Sequence, residues 1–129
     1  MGQALKIIIV VLSLSPLLAI SAEIIHKERS LYNNLIVKRI SKNICLQFSI
    51  RRDTKNQSCI NPRLPKKLIF TYVKMSMSSL LLIPNPKKIL IVGLGGGTIP
   101  MAYHQLFPTA QVHSAEIDPA IKKDAKKYF

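Results

Sequence analysis

Three glycines separated by single residues form the part of this chain with the clearest capacity for chemistry. Gly93, Gly95 and Gly97 follow an aliphatic run and precede a stretch that can form a helix. Because glycine has no Cβ, the backbone of such a turn can approach a ligand closely and leave N–H groups near a helix N-terminus. Glu116 ends the next apolar run, where a carboxylate can accept two hydrogen bonds from a ribose diol. The pattern predicts a nucleotide site formed by these four residues.

The spacing within the glycine segment indicates which nucleotide is favoured. A dinucleotide-binding turn reads G-x-G-x-x-G or G-x-G-x-x-A, and Thr98 occupies its last position. NAD and FAD are therefore disfavoured, whereas G-x-G-x-G suits S-adenosylmethionine and its relatives. Many small-molecule methyltransferases carry an acid two residues before the first glycine, where this chain has Ile91. A glycine turn without a ligand, beside a solvated Glu116, is the structural alternative.

The residues around this turn predict the start of a nucleotide-binding sheet. Residues 89–92 are a continuous aliphatic strand, of the kind buried on both faces of a parallel sheet. A helix over 99–107, a strand over 111–115 and a helix over 119–129 follow, in the order of a doubly wound fold. Two parallel strands cannot cover an aliphatic strand on both faces, so we expect this chain to be truncated.

The preceding residues predict a different architecture. Short apolar runs separated by polar pairs over 31–50 indicate antiparallel strands with one solvated face. Residues 70–82 have helical spacing, and the Pro-Asn-Pro at 84–86 ends that helix. The predicted fold class is α/β. A small antiparallel β-domain with a connecting helix (23–84) precedes the first βαβα of an incomplete Rossmann-like domain (85–129), of the class I S-adenosylmethionine methyltransferase type.

The N-terminal residues predict an export signal. Lys6 precedes an apolar run from Ile7 to Ser21, which is short for a membrane-spanning helix and is interrupted by serine and proline. Residues 1–22 are interpreted as a signal peptide that directs the chain to the periplasm or out of the cell. The alternatives are an uncleaved segment that anchors the chain in the membrane, and a buried first element of the fold.

Composition restricts the other functions. The formal charge is +13, from 19 Lys and Arg against 6 acids. The basic pairs are dispersed, which indicates solvated surface and no specific nucleic-acid site. Cys45 and Cys59 are too few for a four-cysteine zinc site, and two buried free thiols are favoured over the disulfide that an exported chain could form. His26, His104 and His113 show no metal-ligand spacing, so no metal is expected.

Together these segments resemble the spermidine synthase (polyamine aminopropyltransferase) family. The resemblance is close in P-K-K-I-L-I-V-G at 86–93 and the glycines that follow, in A-E-I-D at 115–118 and in A-K-K-Y-F at 125–129. It is looser in E-R-S-L-Y at 28–32 and at Gln57 of the β-domain. The resemblance covers roughly residues 28–129.

The resemblance implies a transferase that uses decarboxylated S-adenosylmethionine as co-substrate and a polyamine as acceptor. Glu116 would hold the ribose, with Asp118 in the same nucleotide site. The glycine segment would pass beside the thioether and the amine, and Gln57 would contact the co-substrate from the β-domain. Family members are often dimers, so a homodimer is also implied.

Departures from the family pattern affect the expected activity. The usual loop reads G-G-G-D-G-G, and Leu94, Gly96 and Thr98 replace its second, fourth and sixth residues. A Tyr-His-Glu motif that helps to receive the polyamine reads Tyr-Val-Lys at 72–74, and a lysine there repels a polycation. The family's catalytic aspartate would lie beyond Phe129, so no catalytic residue is predicted. A catalytically incomplete aminopropyltransferase is favoured over a methyltransferase-like fragment that binds S-adenosylmethionine, and over a non-enzymatic exported basic protein.

Overall fold

The structure is a computed structural model that describes residues 22–49 and 55–129. The predicted signal peptide lies outside the described residues except for Ala22, which begins the first strand. In the described part, no helix is long and apolar enough to cross a membrane. The elements follow in chain order: β1 (Ala22–Arg29), β2 (Asn34–Ile40), β3 (Asn43–Phe48), β4 (Asn56–Ile60), α1 (Thr71–Ser76), a 3-10 helix (Met77–Leu81), β5 (Lys88–Val92), α2 (Thr98–Leu106), β6 (Gln111–Ala115) and α3 (Pro119–Tyr128).

The first four strands form one antiparallel sheet in the order β1-β2-β3-β4, which we call the N-terminal sheet. Side chains alternate between the two faces of a strand, so Leu35 and Val37 of β2 point to the same side. In the register of β2 and β3, Val37 lies opposite Leu46, and all three side chains are buried. The antiparallel β-domain is therefore confirmed, although β1 was not among the predicted strands.

A disulfide joins β3 to β4. Cys45 and Cys59 lie directly opposite each other in the register, with Cα atoms 4.1 Å apart and their sulfurs bonded. The expectation of two free thiols is wrong. Directly opposed residues of antiparallel strands bring their Cβ atoms close together, and the sequence does not reveal that register.

The predicted connecting helix consists of two successive segments of different helix type. An α-helix covers Thr71–Ser76 and a 3-10 helix continues over Met77–Leu81. Serine hydroxyls bond to carbonyls three residues earlier, Ser76 to Val73 at 2.7 Å and Ser79 to Ser76 at 2.9 Å. Such local bonds compete with the regular helical ladder, and they accompany the change to the tighter helix.

The remaining elements form a βαβα unit, which we call the glycine-loop unit (β5 to α3). Its strands pair in parallel, with Lys88 beside Gln111 and Val92 beside Ala115. The predicted bounds agree with the observed ones to within a residue. The expected burial of β5 on both faces does not occur, because Leu90 is 70% and Val92 is 87% exposed. Within the described residues, β6 is the only strand that pairs with β5.

The two parts share one hydrophobic cluster. Ile121 of α3 packs with Leu35, Val37 and Leu46 of the N-terminal sheet. On another side, the Tyr103 hydroxyl of α2 donates to the Ser76 carbonyl at 2.8 Å. The N-terminal sheet therefore supports α3 directly, and α1 contacts α2.

Candidate functional site

The glycine turn connects β5 to α2 in a conformation that requires glycine. Gly93, Gly95 and Gly97 have φ values of 95°, 55° and 74°, a region that residues with a Cβ rarely adopt. Gly93 N–H donates to the Ala115 carbonyl at 2.7 Å, which ties the turn to the end of β6. The predicted strand–turn–helix order is confirmed, with Gly97 as the N-cap residue of α2.

A fourth glycine lies against the N-terminal sheet. A Cβ added to Gly96 would lie 2.8 Å from both the Ser58 hydroxyl and the Phe129 ring, so no side chain fits there without movement of its neighbours. Ser58 Oγ also lies 3.3 Å from Thr98 Oγ1. Ser58 is therefore the β4 residue that meets the glycine turn, and sequence analysis did not identify it.

Gln57 lies beside Ser58 in β4, and its side chain is exposed. Adjacent residues of a strand point to opposite faces, so Ser58 occupies the face toward the turn. The proposed contact between Gln57 and a co-substrate stays a prediction. Gln57 does not line the cavity beside the glycine turn.

Glu116 lies at the shared carboxyl edge of β5 and β6. Its Oε2 accepts from Leu94 N–H at 2.8 Å and its Oε1 accepts from Asp118 N–H at 3.0 Å. Two backbone donors therefore hold the carboxylate in one orientation at the start of the glycine turn. A carboxylate has about four acceptor positions, so each oxygen can still accept one hydrogen bond from a ligand hydroxyl.

Asp118 has a structural role as the N-cap residue of α3. It is 1% exposed, and its Oδ1 accepts from Ala120 N–H at 3.0 Å as the N-cap of α3. Its Oδ2 accepts from the Ser30 hydroxyl at 2.5 Å, at the end of β1. Asp118 therefore caps a helix and joins it to the N-terminal sheet, and it does not line the cavity beside Glu116.

A cavity of about 1090 Å³ opens beside the turn and Glu116. Gly93, Gly97 and Glu116 line it, whereas Gly95 does not. Its wall also includes Leu94, Gly96, Met101, Lys122, Lys126 and Phe129. A largely apolar wall with a few polar groups is typical of small-molecule sites. The fold and this site define the chain as a small β-domain followed by the start of a Rossmann-like domain.

Comparison with known proteins agrees with this class. A polyamine aminopropyltransferase from Vibrio vulnificus is 37% identical over 118 residues, which are 90% of this chain and 39% of that protein. The crystal structure of a probable spermidine synthase from Corynebacterium glutamicum has a TM-score of 0.66 and 16% sequence identity, covering 81% of this chain and 39% of the other. No family model matches.

A second group of relatives matches a shorter stretch. The eEF1A lysine and N-terminal methyltransferase of Bos taurus is 43% identical over 49 residues, which are 38% of this chain and 7% of that protein. The resemblance stated from the sequence is confirmed, and the chain is spermidine-synthase-like in its sequence and its fold. It spans about two fifths of the length of the Vibrio relative.

Proposed function

We propose that the cavity beside the glycine turn binds the adenosyl group of decarboxylated S-adenosylmethionine or its product methylthioadenosine, as part of an aminopropyltransferase site. The geometry of Glu116 carries the proposal. Its two oxygens are 2.8 and 3.0 Å from backbone donors and retain acceptor positions at the edge of the cavity. A ribose diol needs two adjacent acceptors in a fixed orientation, and this carboxylate supplies them.

The chemistry of aminopropyl transfer sets what the rest of the site must do. An amine attacks the aminopropyl carbon beside the sulfonium, and methylthioadenosine leaves. The attacking amine must be neutral, so a general base must lie within hydrogen-bond reach. Glu116 is the only acid among the described residues that line the cavity, and both its oxygens already accept backbone hydrogen bonds. The described residues that line the cavity therefore support nucleotide binding, and they include no second carboxylate to remove the proton.

The charge of the cavity favours a second candidate, a methyltransferase-like site for S-adenosylmethionine. Lys122 and Lys126 line the cavity together with Glu116. Two ammonium groups disfavour a polycationic acceptor and attract a carboxylate. S-adenosylmethionine has such a carboxylate, and decarboxylated S-adenosylmethionine does not. The similarity to eEF1A methyltransferases is the second support for this candidate.

Titration of the full chain by calorimetry tests both candidates. We expect methylthioadenosine to bind, and Glu116→Ala to weaken binding at least about 10-fold, which corresponds to about 1.4 kcal/mol. Glu23→Ala is the matched control, because Glu23 pairs with Arg39 on the surface and its side chain is 70% exposed. Unchanged affinity in Glu116→Ala, or no binding at millimolar concentration by the folded chain, contradicts the proposed site.

The same titration with S-adenosylhomocysteine separates the candidates. This thioether carries the amino acid carboxylate that methylthioadenosine lacks. Equal affinity for the two ligands supports the aminopropyltransferase site. A clear preference for S-adenosylhomocysteine that disappears in Lys122→Gln or Lys126→Gln supports the methyltransferase-like site.

We further propose that the chain is exported. The apolar run before residue 22 supports export, and so does the Cys45–Cys59 disulfide, because disulfides persist in oxidising compartments and are rare in the cytosol. Fractionation of the native cells, with thiol alkylation before lysis, tests this. We expect the chain outside the cytoplasm with both cysteines protected from alkylation until reduction. Recovery in the cytosol with two alkylated thiols contradicts export.

A further inference from the structure

A second polar cluster lies outside the nucleotide cavity, between β1 and α3. His26 and Glu28 are two residues apart in β1, so their side chains share one face of the strand. That face packs against α3, which contributes Asp124. His26 Nε2 lies 3.2 Å from Glu28 Oε2 and 3.6 Å from Asp124 Oδ1. The topology thus brings one imidazole and two carboxylates to a single point.

Asp124 is the most deeply buried member of this cluster, and its carboxylate lacks hydrogen bonds within the described part of the chain. The residue is 0% exposed, and neither of its carboxylate oxygens has a hydrogen-bond partner among the described residues. Burying an ionised carboxylate without hydrogen bonds is costly, and burial raises the pKa of Asp124 above its ordinary value. With Oδ1 directed at His26, the carboxylate points into the cluster. A positive charge at this point would remove the cost.

The spacing of the three ligand atoms fits a metal ion. Zinc–nitrogen and zinc–oxygen bonds are about 2.0–2.2 Å long, so two ligand atoms on a tetrahedral zinc lie roughly 3.3–3.6 Å apart. The two distances from His26 Nε2 are close to this range. One ligand atom from each of the three residues lies within 4.8 Å of the other two. Small side-chain shifts would therefore bring all three atoms to bonding distance from one metal ion.

We propose that His26, Glu28 and Asp124 form a binding site for a divalent transition metal, with Zn²⁺ as the best match to one imidazole and two carboxylates. The side chains of His26 and Glu28 are 28% and 27% exposed, which leaves room for water at a fourth position. The ion would join β1 to α3 and so hold the glycine-loop unit on the N-terminal sheet.

The neighbouring groups are compatible with such an ion. Lys123 Nζ forms an ion pair with Glu28 Oε2, but its side chain is 57% exposed and can turn into water when a metal takes that oxygen. The Tyr128 ring stacks on His26 with ring centroids 5.5 Å apart, which limits rotation of the imidazole. The sequence analysis found no metal-ligand spacing at His26 and expected no metal, because the third ligand, Asp124, is brought to His26 and Glu28 only by the fold.

Titration of the metal-free full chain with Zn²⁺, followed by Co²⁺ substitution, tests the proposal. We expect stoichiometric Zn²⁺ binding, an increase in melting temperature on Zn²⁺ addition, and a Co²⁺ absorption spectrum typical of four ligands. His26→Gln and Asp124→Asn should each weaken Zn²⁺ binding at least 10-fold. His104→Gln is the control, because His104 is exposed on α2 and should leave the affinity unchanged.

Two results would overturn the proposal. One is absence of Zn²⁺ binding at millimolar concentration by a chain whose circular dichroism shows it to be folded, which would mean that a proton neutralises Asp124. The other is unchanged affinity in His26→Gln. Because Asp124 is buried and its variant could lose structure, Glu28→Gln provides a partly exposed ligand variant with the same expected loss.

Discussion

The N-terminal sheet and the glycine-loop unit differ in how their strands are covered. In the N-terminal sheet, Val37 and Leu46 are fully buried, and a disulfide joins two of the strands. In the glycine-loop unit, Leu90 and Val92 are mostly exposed. The predicted nucleotide site therefore belongs to the less covered part of the molecule. Its helices are held in place by contacts with the N-terminal sheet.

The largest effect is expected on the free energy of unfolding, when the same leucine-to-alanine truncation is made in each of the two regions. Leu46→Ala removes a fully buried side chain, and we expect the free energy of unfolding to fall by about 2–5 kcal/mol. Leu90→Ala removes a side chain that is 70% exposed, and the change should stay within about 0.5 kcal/mol. Urea unfolding followed by circular dichroism measures both. Equal losses would show that Leu90 is covered in solution, and the contrast between the regions would not hold.

An intermediate effect is expected at one hydrogen bond between the two regions. The Ser30 hydroxyl donates to the buried Asp118 carboxylate at 2.5 Å, and a hydrogen bond to a charged group contributes about 1.5–3 kcal/mol. Ser30→Ala removes this bond together with the local bonds of the same hydroxyl to Tyr32 and Asn33, so we expect the free energy of unfolding to fall by at least about 1.5 kcal/mol. Hydrogen exchange should accelerate more in α3 than in β2 and β3.

Ser78→Ala is the matched control for that variant, because the Ser78 hydroxyl is exposed and bonds only to the nearby Met75 carbonyl at 2.7 Å among the described contacts. We expect its unfolding curve to overlay that of the unsubstituted chain. Uniform acceleration of exchange in Ser30→Ala would mean that the two regions unfold as one unit.

The smallest effect concerns pH and the cluster between β1 and α3. Burial raises the pKa of Asp124, while hydrogen bonds from Lys123 and His26 lower the pKa of Glu28. A carboxyl group with a raised pKa contributes stability that is present below its unfolded value, about 4, and is lost as the pH rises through its folded value. Glu28 acts in the opposite direction, since its contribution is lost as the pH falls.

Asp124→Asn isolates the first of these contributions, because Glu28 is present in both proteins. In the presence of a chelator, we expect the melting temperature of the unsubstituted chain to fall relative to that of Asp124→Asn between pH 4 and pH 7. Thermal melts across this range give the difference. A difference that does not change with pH would mean that the carboxyl group titrates alike in the folded and unfolded states.

Much of the glycine-loop unit could be predicted from sequence because its signals are local. An aliphatic run marks β5, the glycines mark the turn before α2, and a proline marks the start of α3. Each of these signals lies within or next to the element that it marks. Glu116 was placed correctly at the end of β6, since strand ends in a βαβ unit meet at one edge. The positions of the glycines and of Glu116 in these elements could therefore be predicted from the sequence, whereas their contact with a ligand stays a prediction.

The features that were missed depend on pairing between distant residues. Ser58 lies opposite Leu46 in the β3–β4 register, and it meets the turn only because β4 lies against Gly96 and Thr98. The same register brings Cys45 to Cys59. Asp124 reaches His26 only when α3 packs on β1. Periodicity within a segment carries no information about such contacts, so a single sequence leaves them open.

The disulfide has a consequence for how damage to this chain would be detected. The sequence between the two cysteines contains Arg51 and Arg52, and arginine is a residue type after which trypsin-like proteases cleave. A cut after either residue produces two polypeptides that remain covalently joined through Cys45 and Cys59. On a gel without reductant the cleaved protein would run near its intact mass, and only reduction would release the two fragments.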